Sequence, residues 1–130
     1  MIVVDASALL AALLRTPAAA AVKARLFDLG HTLHPPHLID IEVAQVLRRY
    51  AATEQIEPGR CRDALSDLSD FPLHRYPHDL LLPPVWELRH NLTAYDAVYV
   101  ALAEALEARL LTRDRRLASA AGHRAGVDLV

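Results

Sequence analysis

Two short apolar runs, one near each end of the chain, stop at or close to a carboxylate and pass straight into helix-forming sequence. Ile2-Val3-Val4 ends at Asp5 and precedes Ala6 to Leu14, while Arg109 to Thr112 carries Leu110-Leu111, precedes Asp114 and leads into Arg115 to Ala121. Apolar runs this short, without polar alternation, are the mark of strands buried on both faces, as in a parallel sheet covered by helices. The chain is thereby directed to an α/β fold.

The intervening sequence supplies the crossovers. Thr16-Pro17 resembles a cap and first-turn proline opening a helix through Phe27 that stops at Gly30. His31 to His34 predicts a short strand ended by Pro35-Pro36. Ile39, Val43, Val46, Leu47 and Tyr50 recur at helical spacing over Leu38 to Ala52, as do Cys61, Ala64, Leu65 and Leu68 after Pro58-Gly59. Phe71 to Tyr76 predicts another strand, and Leu80 to His90 a helix with Pro83-Pro84 in its first turn or at a kink. Thr93 to Ala108 predicts a long alanine-rich helix, and Val127 to Val130 a last strand. Strands alternating with helices imply right-handed crossovers, and ligands of such sheets sit at the carboxyl ends of the strands.

At 130 residues, 53% of them hydrophobic, the chain is expected to form a single domain over 1–130. No apolar stretch approaches the roughly 20 residues that span a bilayer, so neither a membrane partner nor a signal peptide is expected. Cys61 is the only cysteine, which removes internal disulfides and cysteine-based metal sites and makes the cytoplasm the expected address. A formal net charge of −2 gives no global attraction to nucleic acid, so any such binding must come from a local patch.

The carboxylates carry the chemistry. Asp5 and Asp114 project from the carboxyl edge of the sheet, Asp96 begins the long helix, and Glu42 lies at the margin of the apolar stripe of its helix. Each has a plainer role: Asp5 and Asp114 as N-caps, Thr93-Ala94-Tyr95-Asp96 as a capping box, and Glu42 as the partner of Arg49. On periodicity alone Asp40 flanks the apolar stripe nearly as well as Glu42. Convergence tips the balance, because independent caps need not meet whereas these four acids can share one edge. Gathered carboxylates repel, and a cation relieves them. An oxygen-only donor set favours Mg²⁺ or Mn²⁺, and such clusters serve phosphodiester cleavage.

Four segments together resemble the PIN-domain ribonucleases, and more narrowly the VapC-like toxins of toxin–antitoxin pairs. They are Ile2-Val3-Val4-Asp5-Ala6-Ser7, Glu42 in the third helix, Leu92-Thr93-Ala94-Tyr95-Asp96-Ala97, and Leu110-Leu111-Thr112-Arg113-Asp114. The resemblance covers essentially the whole chain. It implies a three-layer α/β/α sandwich with a central parallel sheet of about five strands and Mg²⁺- or Mn²⁺-dependent endonucleolytic cleavage of RNA. Its implied partners are a VapB-like antitoxin and a second copy of the chain. Asp5, Glu42 and Asp96 would bind the principal ion, Asp114 would help hold a second ion or orient water, and Ser7 would hydrogen-bond to these ligands. Arg113, Arg115 and Arg116, beside Asp114, are candidate RNA contacts, as are Arg89 and His90.

Competing readings keep the fold class. A phosphoacceptor domain needs a lysine near a late strand end, but Lys23 is the only lysine. A Mg-dependent phosphatase of the haloacid-dehalogenase kind has a second Asp two residues after its nucleophile, where this chain has Ser7. A degenerate binding module would keep the fold without cleavage, and the four intact acids weigh against it. His31, His34 and His37 are interrupted by Pro35-Pro36 and read as loop residues. Cys61 reads as core, and Trp86 and Leu88 as core or interface.

Overall fold

The computed structural model describes residues 1–130, the side chain of Leu29 excepted. Strands β1 (Ile2–Val4), β2 (Arg109–Thr112) and β3 (Val127–Leu129) form a parallel sheet in that order. Val3 pairs with Leu110, and Leu110 in turn with Val127. Consecutive residues of a strand point to opposite faces. Val3, Val4, Leu110, Leu111 and Thr112 are all buried, so both faces of β1 and β2 are covered, as their unbroken apolar runs require.

Helix α1 (Ala6–Leu13) springs directly from β1, and α6 (Ala94–Ala105) returns the chain to β2; α1 packs on β2 and α6 on both β1 and β2. Between them come α2 (Ala19–Phe27), α3 (Leu38–Ala52), α4 (Pro58–Asp70) and the short α5 (Leu82–Glu87), with α7 (Arg115–Ala118) following β2. Pro58 opens α4 at its first turn, where a missing N–H costs nothing. Ile39, Val43 and Leu47 bury one stripe of α3, and Cys61, Ala64 and Leu68 bury one of α4. All of these join a single apolar cluster with β1, β2 and α6.

The sheet corrects the expectation of about five strands: three are formed. The segments around Leu33 and Leu73 do align parallel beside β1, but through isolated bridges, Leu33 to Ile2 and to Leu73, and Pro36 to Tyr76. Individual backbone bonds hold them, including His34 N to Ile2 O at 2.8 Å and His74 N to Leu33 O at 2.9 Å. Pro35, Pro36, Pro72 and Pro77 bring no N–H, so no continuous ladder forms there. The predicted helix from Leu80 is likewise divided into a 3-10 turn at Asp79–Leu81 and α5, with Pro83 and Pro84 in the first turn of α5. Of the two residues expected in core or interface, Leu88 is in the core, and Trp86, 64% exposed, is not.

Leu111 sits at the centre of the sheet, 1% exposed. Leu111→Ala should therefore cost roughly 2–5 kcal/mol of unfolding free energy, read as a lower denaturation midpoint in urea.

Candidate active site

The carboxyl ends of β1 and β2, the start of α6 and one face of α3 enclose a cleft of about 500 Å³ that Asp5, Glu42, Asp96 and Asp114 all line. Ser7, Tyr99 and Arg113 line it as well. The four expected acids are thus brought together although 109 positions separate Asp5 from Asp114 in the chain.

Asp5 is the most enclosed of the four, at 6% exposure. Its Oδ1 accepts from the Ala8 N–H at 3.0 Å and the Ser7 hydroxyl at 2.7 Å, and its Oδ2 accepts from the Thr112 hydroxyl at 2.5 Å. Thr112 is itself fully buried, and its Oγ1 accepts from the Asp114 N–H at 2.9 Å. Ser7 Oγ accepts from the Arg113 N–H at 2.8 Å, a second link between the two strand ends. Glu42 Oε1 accepts from the Tyr99 hydroxyl at 2.6 Å. Asp96 stands at the first turn of α6, and Asp114 precedes α7.

The capping roles are real, and they coexist with the cleft. Asp5 caps α1 through Oδ1. Asp114 caps α7, its Oδ1 accepting from Arg116 N–H at 2.8 Å and Leu117 N–H at 3.3 Å. On α6 the cap is Thr93, whose hydroxyl oxygen accepts from the Asp96 N–H at 3.2 Å. Each capping aspartate commits one carboxylate oxygen to its helix. The second oxygen of Asp5 accepts from Thr112, while Asp114 Oδ2 takes no hydrogen from its helix and lies 3.8 Å from Arg116 Nη2, which is also 3.6 Å from Asp96 Oδ2.

Burial pushes the Asp5 carboxyl above the usual range against its three hydrogen bonds, and the Asp114 charge adds to the rise. Burial also raises Glu42; the Tyr99 hydrogen bond opposes this, and the charges of Asp96 and Asp5 reinforce it. Asp96 is raised by burial and by Asp114, with Arg116 pulling the other way. Tyr99 is driven far above its ordinary value by burial and then by Glu42, so its hydroxyl remains a donor.

Periodicity had left Asp40 and Glu42 open, and tertiary contacts separate them. Asp40 turns to Arg75 in a two-pronged ion pair at 2.7 and 2.8 Å, leaving Glu42 in the cleft. Arg49 lines the cleft without pairing with Glu42. Arg113, Arg115 and Arg116 are all exposed, Arg113 on the cleft wall and Arg116 between two of the acids. His34 is no ligand candidate: its ring nitrogens meet Thr32 Oγ1 at 2.6 Å and Tyr76 Oη at 2.7 Å. Two residues escaped the sequence reading. Thr112 was detectable as the polar end of an apolar strand at the reactive edge, and Tyr99 as a hydroxyl one turn beyond Asp96.

Among the described residues no three acidic, histidine or cysteine side chains meet the geometry of an ion site as they stand. The donor set nevertheless fits a hard divalent cation. It is purely oxygen, three of its members are raised by burial and mutual repulsion, and a guanidinium already lies between Asp96 and Asp114.

A family model described as "PIN domain" matches residues 2–123. A VapC ribonuclease of Mycobacterium bovis is 48% identical over 117 residues, covering 90% of this chain and 88% of the relative. Ribonuclease VapC1 of Mycobacterium tuberculosis is 44% identical over 129 residues, covering 98% and 96%. Among solved structures, PAE2754 of Pyrobaculum aerophilum superposes with a TM-score of 0.72 at 27% identity, covering 99% of this chain and 83% of that one. VapC20 of M. tuberculosis, described as a toxin cleaving the sarcin-ricin loop, has a TM-score of 0.70, covering 95% and 97%; at 17% identity it speaks for the fold alone. With that fold, the acids at the strand ends and these relatives, the chain belongs to the PIN-domain family and, within it, to the VapC-like proteins.

Proposed function

We propose that this chain is an endoribonuclease, dependent on Mg²⁺ or Mn²⁺, that acts as the toxin of a toxin–antitoxin pair. The observation that carries the reading is the meeting of Asp5, Glu42, Asp96 and Asp114 in one cleft at the carboxyl ends of β1 and β2. The relatives named as VapC ribonucleases support it, and a VapBC2 complex of Rickettsia felis among the structural neighbours motivates the antitoxin partner. The reading further takes the chain as one domain of three-layer α/β/α architecture, a homodimer, and cytoplasmic.

Asp5, Glu42, Asp96 and Asp114 would hold the cation, which when bound supplies an acidified water and neutralises charge on the phosphoryl group. The chain's own contribution is positioning. Thr112 and Ser7 hold both oxygens of Asp5, and Tyr99 fixes Oε1 of Glu42 so that Oε2 remains for the cleft. Arg113, Arg115 and Arg116 would meet RNA phosphates, Arg116 leaving its place between Asp96 and Asp114.

Purified protein should cleave single-stranded or loop RNA with added Mg²⁺ or Mn²⁺, and EDTA or either of Asp5→Asn and Asp96→Asn should abolish cleavage. A phosphomonoester assayed in parallel should remain intact. RNA cleavage that persists in EDTA, or phosphomonoester turnover alone, would sink the reading.

Carboxyl groups raised in the folded state bind protons more readily there than in the unfolded chain. The metal-free protein should therefore lose stability as pH rises from about 4 through their folded values, and the loss should persist at neutral pH. Asp96→Asn removes one such group, so metal-free thermal melts near pH 7 should place it at or above wild type, with the advantage fading in acid. Mg²⁺ should then raise the wild-type melting temperature more than that of the variant.

A further inference from the structure

The cleft is longer than the acid cluster. Beyond Glu42 it continues between α1 and α3 over Leu10, Leu14 and Val46 to Tyr50 and Arg49. Glu42, Val46, Arg49 and Tyr50 stand at the i, i+4, i+7 and i+8 positions of α3, one face of a helix. Arg49 lies about 10 Å along the axis from Glu42, at 1.5 Å of rise per residue. Its side chain is exposed, and among the described residues no carboxylate lies within ion-pairing distance of its guanidinium. This contrasts with Arg25, Arg75, Arg109 and Arg116, each of which meets an aspartate.

We propose that this outer end of the cleft is a subsite for the RNA strand next to the scissile bond, with Arg49 holding a phosphate and the apolar wall from Leu14 to Tyr50 receiving the intervening base. The inference rests on the endoribonuclease reading and adds a recognition element to it. At this outer end the Arg49 guanidinium, unpaired among the described residues, suits a phosphate. A strand whose scissile phosphate sits at the acids still carries phosphates on its neighbours, and the cleft lining includes Arg113 and, two turns beyond Glu42 on α3, Arg49. Between Glu42 and Arg49 the α3 face presents Val46, and the facing turns of α1 present Leu10 and Leu14, which suit an unstacked base better than another phosphate. Arg49 is thus a positioning residue: it contacts the strand away from the reacting atoms.

Because that contact is present in ground state and transition state alike, its loss should appear in KM and leave kcat nearly unchanged. For Arg49→Ala we expect KM to rise about tenfold, the size of one charge-assisted hydrogen bond, with kcat within about twofold. Binding of a labelled mixed-sequence single-stranded oligoribonucleotide, followed by anisotropy with Ca²⁺ in place of Mg²⁺, should show the log–log salt slope reduced in magnitude by about 0.7. Arg49→Lys should keep the slope, and Arg49→Glu should weaken binding further than Arg49→Ala. Equal slopes for wild type and Arg49→Ala would overturn the subsite, whether or not the variant also binds a protein partner less tightly. A wild type that binds RNA but never cleaves it would overturn the proposed reaction while leaving the slope comparison decisive for Arg49. A wild type that binds no RNA would overturn both.

Discussion

The hydrogen bond from Thr112 to Asp5 joins the ends of two strands 107 positions apart in the chain, and the candidate site depends on it. It is possible only because β1 and β2 pair in parallel and in register, Val4 opposite Leu111, so that both strands deliver their carboxyl ends to one edge. Thr112 also receives the Asp114 N–H, and Ser7 receives that of Arg113, so the loop carrying the fourth acid is tied to the turn carrying the first. A small set of hydroxyl groups thereby sets the separation of two carboxylates.

That arrangement opposes the stability of the fold. Burial raises Asp5, Glu42 and Asp96, and each is raised further by the charge of at least one other acid of the cleft. The surrounding structure offsets this with hydrogen bonds to Asp5 and Glu42 and with the Arg116 guanidinium near Asp96 and Asp114. Contrast Asp128 on β3, which accepts from Arg109 and also pairs with Arg25, and whose carboxyl is held below the usual range, first by the Arg109 hydrogen bond. The Asp128 carboxylate is satisfied by arginines of its own chain, whereas the cleft carboxylates are raised by burial and by one another. Carboxyl groups raised together in a cleft are a common mark of a functional site.

The cleft also combines two surfaces of different character along a single helix. Glu42 and Arg49 belong to the same face of α3, separated by Val46, so one helix faces the acid centre at one end and the cationic end of the groove at the other. Its opposite stripe, Ile39, Val43 and Leu47, is buried in the core and fixes the orientation of that face. Rigid placement of this kind follows from core packing and requires no ordered loop.

Much was determined locally and could be read in the sequence. The strand-to-helix junctions at Asp5 and Asp114, the cap at Thr93 and the amphipathic stripes of α3 and α4 all depend on neighbours within a few residues, and they appear where periodicity and capping chemistry place them. The four acids were legible for the same reason, since three of them stand at element boundaries. Tertiary structure decided what periodicity leaves degenerate. Asp40 and Glu42 flank the same stripe, and only the position of Arg75 draws one out while Tyr99 holds the other in. Residues 31–34 and 71–76 suggest strands, but the prolines at 35, 36, 72 and 77 remove ladder donors and only isolated bridges form. Thr112 and Tyr99 gained their roles from partners far along the chain, and Arg49 meets no carboxylate within ion-pairing distance among the described residues; spacing within one helix or strand specifies a face, and only the packed neighbour specifies what that face meets.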